Sequence, residues 1–465
     1  MTSPLLAGFA KVDVTPPLDI PYLSYYPRQT PFEGVHDRLY ARAVALELHQ
    51  TRAAIVAVDS LGISRSILGP ERDYIAEIRA RVAQRTGIPA AHVLIAATHA
   101  HSTPQTTDLT ALVERCPTAA EWLERFADQL AAAAQTAWAA RRLAAVRGAT
   151  GLATGIAWNR RILTRDGRLV RLQQRPTDDQ VVKEARDDRV PVVLLSDATT
   201  APDHSAHWRG ALCGFTCHPT TVQVQPLVSA DFPGVACDLV ERDLGAAACL
   251  FLQGACGDVG PVRATTDFQD VHLYGRSLGA EALRVLSLLE ARDVPPMRPA
   301  LAAGTQTIEL ERRPRPDAAS LAREAAYLEG RISVAPGEET RRAAIAAYRR
   351  VAEPLRLAQL GGGPVRMEVQ AIRLGDALIV ACEGELFVEY GNRIKDASPA
   401  AVTIIAGYSN GYEGYIPTPE AWDEGGYESS PGPWTRIWRT GGEDLAECAV
   451  ALAHRVWNEG DHHIP

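Results

Sequence analysis

Short apolar runs bounded by turn residues recur along the chain, and stretches with a helical repeat separate several of them. The runs at 7–14, ARAVALELH (41–49), AAIVAVDS (53–60), VLIAA (93–97), VPVVLLS (190–196), ALCGFTC (211–217) and CLFLQG (249–254) have strand length, and most read as buried on both faces. Further strands are expected near 145–154 and over 365–383. A helix is expected over Pro70–Thr86, with proline at its first position, Tyr74, Ile75, Ile78 and Val82 on one face, and Gly87 as its stop. A second opens on a capping box, Thr118 to Glu121, and buries Trp122, Phe126, Leu130 and Trp138. Helices are also expected over 233–245 and 271–291, and one opening at Gly384-Glu385. Strands alternating with helices predict an α/β fold of mixed, largely parallel sheets covered by helices. Residues 316–361, rich in Ala, Arg and Glu and closed by Gly361 to Gly363, predict a helical hairpin, either an insert or a lid. With no internal repeat and no low-complexity linker, residues 1–465 are expected to form one domain.

Two of the apolar runs end in histidine. VLIAATHAHSTPQTTDL delivers His99 and His101 into a hydroxyl-rich loop just past a strand, where α/β sheets place ligands. Residues two apart on extended chain share a side, so both imidazoles can face one cavity. An isolated pair of this kind more often gives one ligand and one hydrogen-bonded loop residue. A similar design in GALCGFTCHPT, where another apolar run ends in His218, shifts the balance toward a metal site. His204 and His207, in an exposed loop, read as solvated. The aromatic loop at 21–32 offers Tyr22, Tyr25 and Tyr26 either to a pocket mouth or to ordinary packing.

Composition narrows the function. At 465 residues, with 46% hydrophobic and 22% charged residues, the chain can bury a large core. A net charge of −8 and only three lysines, Lys11, Lys183 and Lys395, argue against a nucleic-acid binder; the arginines are interspersed with acids. No run is long enough for a transmembrane helix, and MTSPLLAGFAKVDV lacks the features of a secretory signal. The eight cysteines include no CxxC pair and read as buried thiols of a reducing compartment, so a cytoplasmic location is expected.

Four stretches point to one family. AGFAKVDVTPP with GVHDRLYARA, then THAHS, then CHPT and SADFPG with LQGACGDVGP, and finally GELFVEYGNRI with YSNGYEGYIPTPEAWDEGGYES follow one another in the order found in neutral/alkaline ceramidases. The chain resembles the catalytic domain of that family, zinc amidases that split N-acyl-sphingosine, without the C-terminal β-sandwich domain of its longer members. The resemblance implies a Zn²⁺ site of His99, His218, Glu385 and Tyr415, with His101, Arg160 and Tyr427 as catalytic groups. Glu383 competes with Glu385 for the acidic position, and Tyr412 competes with Tyr415. His36, Asp37, Asp231 and Asp258 are expected to orient the ligands or cap helices.

The chemistry so implied is attack on a linear amide by a metal-bound hydroxide, with His101 passing a proton to the departing amine and Arg160 and Tyr427 holding developing charge. GDVGPV, with Gly260 and Val262, departs from the family's GDVSPN, and GELFVEYG and GGYESS depart from its other pocket segments. The expected substrate is therefore a small-molecule N-acyl compound other than membrane ceramide. An ester or lactone hydrolase on the same zinc site, and a non-catalytic ligand-binding protein, are the alternatives.

Overall fold

The computed structural model describes residues 4–21, 30–109, 112–171, 175–198, 209–262, 267–291 and 294–461, so Tyr22, Tyr25, Tyr26, His204 and His207 lie outside the described residues. Eight of the apolar runs form one twisted sheet: β1 (Leu6–Asp13), β2 (Tyr40–Leu48), β3 (Thr51–Val58), β4 (Val93–Ala97), β5 (Arg142–Leu152), β6 (Arg189–Asp197), β7 (Arg209–Phe215) and β8 (Cys249–Gln253). Their order across it is β8-β7-β6-β5-β1-β2-β3-β4. A second sheet holds β9 (Leu301–Leu310), β10 (Val365–Leu374), β11 (Ala377–Cys382) and β12 (Val402–Ala406) in sequence order.

The sheets are mixed but mainly antiparallel, which corrects the expectation of largely parallel strands. In the large sheet only β3 with β4 and β7 with β8 run parallel; in the small one only β11 with β12 does. Two-residue turns explain this. His49 (φ 54°) opens the β2–β3 turn and Gly375 (φ 61°) the β10–β11 turn, and connections that short can join only antiparallel neighbours.

The two sheets pack face to face. Phe9, Val44, Leu46, Ile55, Leu212 and Leu250 of the large sheet meet Leu301, Ile372, Leu374, Ile379 and Ile404 of the small one in a shared core. The outer face of the large sheet is covered by helices α1 (Tyr74–Thr86) and α2 (Thr118–Ala139) on one half and by α3 (Asp231–Leu244) and α4 (Phe268–Ala291) on the other. The hairpin α5 (Ala318–Ser333) and α6 (Glu338–Gln359) packs mainly on itself through Ala325, Leu328 and Val351. Helices α7 (Val388–Asp396) and α8 (Gly441–Asp461) cover the outer face of the small sheet.

Several helix ends differ from the sequence reading. Helix α1 starts at Tyr74, because the Asp73 side chain accepts from Ala76 N; Gly87 (φ 71°) stops it as expected. Helix α2 begins at Thr118 with Pro117 before it and no side-chain cap, so the expected capping box does not form. The helix placed at Gly384-Glu385 begins at Val388. Glu385 lies instead on a two-residue strand, Glu385–Leu386, paired in parallel with Tyr415–Ile416.

The edge of the large sheet at β4 is not left open. Ala97 N donates to Tyr408 O (3.2 Å) and Asn410 N to Ile95 O (2.8 Å), while Asn410 Oδ1 accepts from Ile95 N (3.0 Å). Asn410 Nδ2 then donates to Gln370 Oε1 (2.9 Å) on β10, so one side chain stitches the two sheets together. Asn410 holds φ 60°, a region its short polar side chain tolerates better than most. Asn410→Ala is expected to lose about 2–4 kcal/mol in urea unfolding, from an unpaired buried donor plus left-handed strain. Asn410→Gly should recover the strain part only; equal losses in the two variants would show that strain contributes nothing.

Candidate metal centre

The chain leaves the C-terminal end of β4 and immediately adopts φ 65° at His99, a conformation a histidine holds only when its surroundings fix it. What fixes it is local. His99 Nδ1 lies 2.5 Å from Leu61 O in the loop after β3, and its ring stacks on Tyr408 with centroids 3.8 Å apart and planes 24° from parallel. His218, just past β7, has Nδ1 2.6 Å from Cys256 O and 3.1 Å from Val259 O. Each carbonyl accepts an Nδ1–H, which leaves the Nε2 lone pairs of both rings turned toward each other.

His101 joins them. Its Nε2 lies 3.2 Å from His99 Nε2, and its backbone N–H donates to Pro219 O (3.2 Å), which ties the two histidine loops together. The pair does meet, but the left-handed turn at His99 brings the rings together edge to face (87°) instead of the strand alternation expected. The ligand atoms of His99, His101 and His218 all lie within 4.8 Å of one another, a group that could hold a metal ion.

Glu385 arrives from beyond the second sheet. Its Oε2 is 3.0 Å from His218 Nε2 and 3.5 Å from His99 Nε2. Glu383 is not its equal: Gly384 (φ 87°) turns the chain between them, and Glu383 pairs with Arg65 Nη2 at 2.5 Å. Burial alone would raise the Glu385 carboxyl, yet His99 and His218 hold it well below the usual range. Burial, followed by the charge of Arg160, pushes His218 down to about 4, and burial with the neighbouring imidazoles holds His101 well below its ordinary value. The lowered His218 and His101 and the ionised Glu385 are shifted in the direction that binding a cation requires.

The spacing fits a metal as well. Donor atoms about 2.0–2.1 Å from one tetrahedral ion lie roughly 3.3 Å apart. The 3.0 and 3.5 Å separations of Glu385 Oε2 from His218 Nε2 and His99 Nε2 are of that size.

Tyr415 and Arg160 flank this group. The Tyr415 ring lies 6.5 Å from that of His218 and nearly parallel to it, and the Arg160 guanidinium is 5.8 Å from the Tyr415 ring. Arg160 follows β5 in the chain, on the short segment next to Asn159. Its N–H donates to Asp258 O (2.6 Å), and its side chain donates to Gly257 O and faces Glu428 Oε1 (3.4 Å). Burial disfavours its charge, but Tyr415 and Glu428 outweigh that and keep it protonated. Tyr427, 43% exposed, stacks on Trp434 (5.0 Å) and meets Tyr415 edge-on (5.6 Å).

The other acids are supports. Asp258 accepts from Asn159 Nδ2 (2.6 Å) and from Val388 N (2.8 Å), fixing the Arg160 and Glu385 segments against each other. Asp37 accepts from Ala230 N (2.7 Å) and Asp231 from Phe232 N (2.7 Å), which sets the start of α3. His36 stacks on Phe268 (3.5 Å) and bonds Asp37, away from the histidine group.

Sequence reasoning missed Tyr408. It weighed Tyr412 only as a rival to Tyr415 for the metal, and the hydroxyls of Tyr412 and Tyr408 instead donate to Glu385, to Oε1 and, at 3.3 Å, to Oε2. Nothing in the GYSNGYEGY stretch marks which tyrosine faces the acid.

A four-layer α/β/β/α architecture with a buried group of histidines at one end of its paired sheets defines the fold and the site. No protein-family model and no curated protein matches the sequence. Among solved structures, neutral ceramidase from Pseudomonas aeruginosa matches 98% of this chain and 75% of its own, with a TM-score of 0.70 and 18% identity. A ceramidase complexed with C2 matches 98% and 76%, with a TM-score of 0.70 and 17% identity. The chain has the ceramidase fold.

His99→Ala and His218→Ala are each expected to abolish stoichiometric metal uptake, read by elemental analysis of purified protein. His101→Ala should retain the ion; loss of metal in that variant would move His101 from proton carrier to ligand.

Proposed function

We propose that the chain is a metal-dependent hydrolase of linear N-acyl bonds, with zinc held by His99, His218 and Glu385 and with Tyr415 completing the set. The observation that carries this reading is the convergence of the buried His99 and His218 imidazoles from two strand ends on one Glu385 oxygen, at the spacing of ligands around a single ion. The ceramidase fold supports the choice of an amide as the scissile bond.

A zinc ion held by these residues would supply Lewis acidity and lower the pKa of a coordinated water to about 7. The rest is the work of side chains. His101 is only partly buried and sits beside His99, so its imidazole can carry a proton to a departing amine, a role that contributes roughly 10²–10⁴-fold in rate. Arg160, charged at any working pH and fixed through Gly257 and Glu428, offers positive charge to a carbonyl oxygen as it becomes negative. Tyr427 with Trp434 presents an aromatic surface for the substrate's apolar part.

Gly260 borders the aliphatic stem of Arg160, where an added Cβ would lie 3.5 Å from Arg160 Cδ. That corner therefore presents no hydroxyl, and the proposed substrate is a small soluble N-acyl compound, not membrane ceramide. The hairpin α5–α6 is proposed as a lid or insert of the same single domain. Arg356 on α6 donates to Asp108 O (3.0 Å) in the loop that follows His101. No described helix is long and apolar enough to cross a membrane. A cytoplasmic location is proposed on the eight free cysteines.

The test compares matched N-acyl and O-acyl substrates with zinc-loaded and chelator-treated protein. Amide cleavage that falls by about 10²-fold or more on chelation and returns with Zn²⁺ is expected. Cleavage of esters alone would overturn the amidase assignment. A chain that takes up no metal, or whose activity ignores the chelator, would overturn the mechanism.

A further inference from the structure

Two phenols close on Glu385 from different sides. Oε2 faces His218 and His99, whereas Oε1 turns away and accepts the Tyr412 hydroxyl. Tyr412 is 2% exposed, and its ring lies over Gly62 so closely that a Cβ there would come within 2.9 Å of it. The ring therefore has little room to swing its hydroxyl elsewhere.

Tyr408 touches three other residues around the site. Its ring stacks on His99, and its hydroxyl lies 3.3 Å from Glu385 Oε2 and 3.1 Å from Cys256 Sγ, the residue whose carbonyl holds His218 Nδ1. Like His99, it adopts a left-handed backbone (φ 57°), which places the ring across the site instead of along the strand direction.

We infer that Tyr412 and Tyr408 are positioning residues that hold Glu385 as a one-oxygen ligand, Tyr412 by occupying Oε1 and Tyr408 by aligning Oε2 with the histidines. The inference rests on the metal reading above. A carboxylate free to turn can offer both oxygens to a cation and fill a position that water or substrate needs. One whose second oxygen is already taken by a buried phenol offers only one. The carboxylate's partner is thus part of the coordination, as outer hydrogen bonds are for ligating side chains in general.

The test uses the full chain, stripped with chelator and reloaded with Zn²⁺ or Co²⁺. Tyr412→Phe keeps the ring and removes the hydroxyl. It should weaken Zn²⁺ binding by roughly 10–100-fold in competition with a chromogenic chelator, and shift the visible Co²⁺ spectrum toward the weaker bands of higher coordination. The thermal midpoint of the metal-free variant reports general damage, which by itself would not change the coordination spectrum. Wild-type zinc affinity together with an unchanged Co²⁺ spectrum in Tyr412→Phe overturns the inference while leaving the metal site in place. If that variant does not fold, Tyr408→Phe carries the same test, with a several-fold loss of affinity expected and wild-type affinity overturning it. Wild-type protein that binds neither ion overturns the metal reading and this inference with it.

Discussion

The site exists because two sheets are held together along a seam. The Val93–Ala97 strand and the 408–410 segment exchange backbone hydrogen bonds, and Asn410 carries the link on to Gln370 in the second sheet. His99, His101 and His218 belong to loops of the large sheet, whereas Glu385, Tyr408 and Tyr412 belong to loops of the small one. The shared apolar layer between the sheets fixes their separation, and the seam fixes their alignment. Packed interiors deform little, so the spacing of donor atoms carried on both sheets follows from the way the sheets pack.

Around this centre, buried charges order the loops. Asp108, a few residues after His101, accepts from Ser64, Ser66 and Arg436, and Arg436 also reaches Glu413 between Tyr412 and Tyr415. Arg161 spans Glu428, Glu424 and the Gly425 carbonyl, which holds the segment carrying Tyr427 next to Arg160. Taking charges out of water is costly, and such pairs add little net stability. Here each joins segments far apart in the chain, so their contribution lies in where those segments stand. His99 and Tyr408 show the same priority, since both keep left-handed backbones to bring their rings into contact.

The sequence by itself determined the strands of the large sheet and the places where two of them end in histidine, because burial and β-propensity are written in local runs such as VLIAA and ALCGF and a strand end is a local event; it left Leu301–Leu310 and Val402–Ala406 of the small sheet unmarked. It also carried the glycine stop of α1, set by neighbouring residues. Tertiary structure decided what depends on distant partners. The direction of two strand pairs followed from turns at His49 and Gly375, and a bend at Gly384 turned Glu385 toward the histidines and Glu383 toward Arg65. The tyrosine that meets the acid was settled by the pairing of Glu385 with Tyr415, which leaves Tyr412 and Tyr408 facing the carboxylate. Side-chain chemistry is a property of each residue, but the direction in which a side chain points is set by whatever packs against it, and here that came from the other sheet.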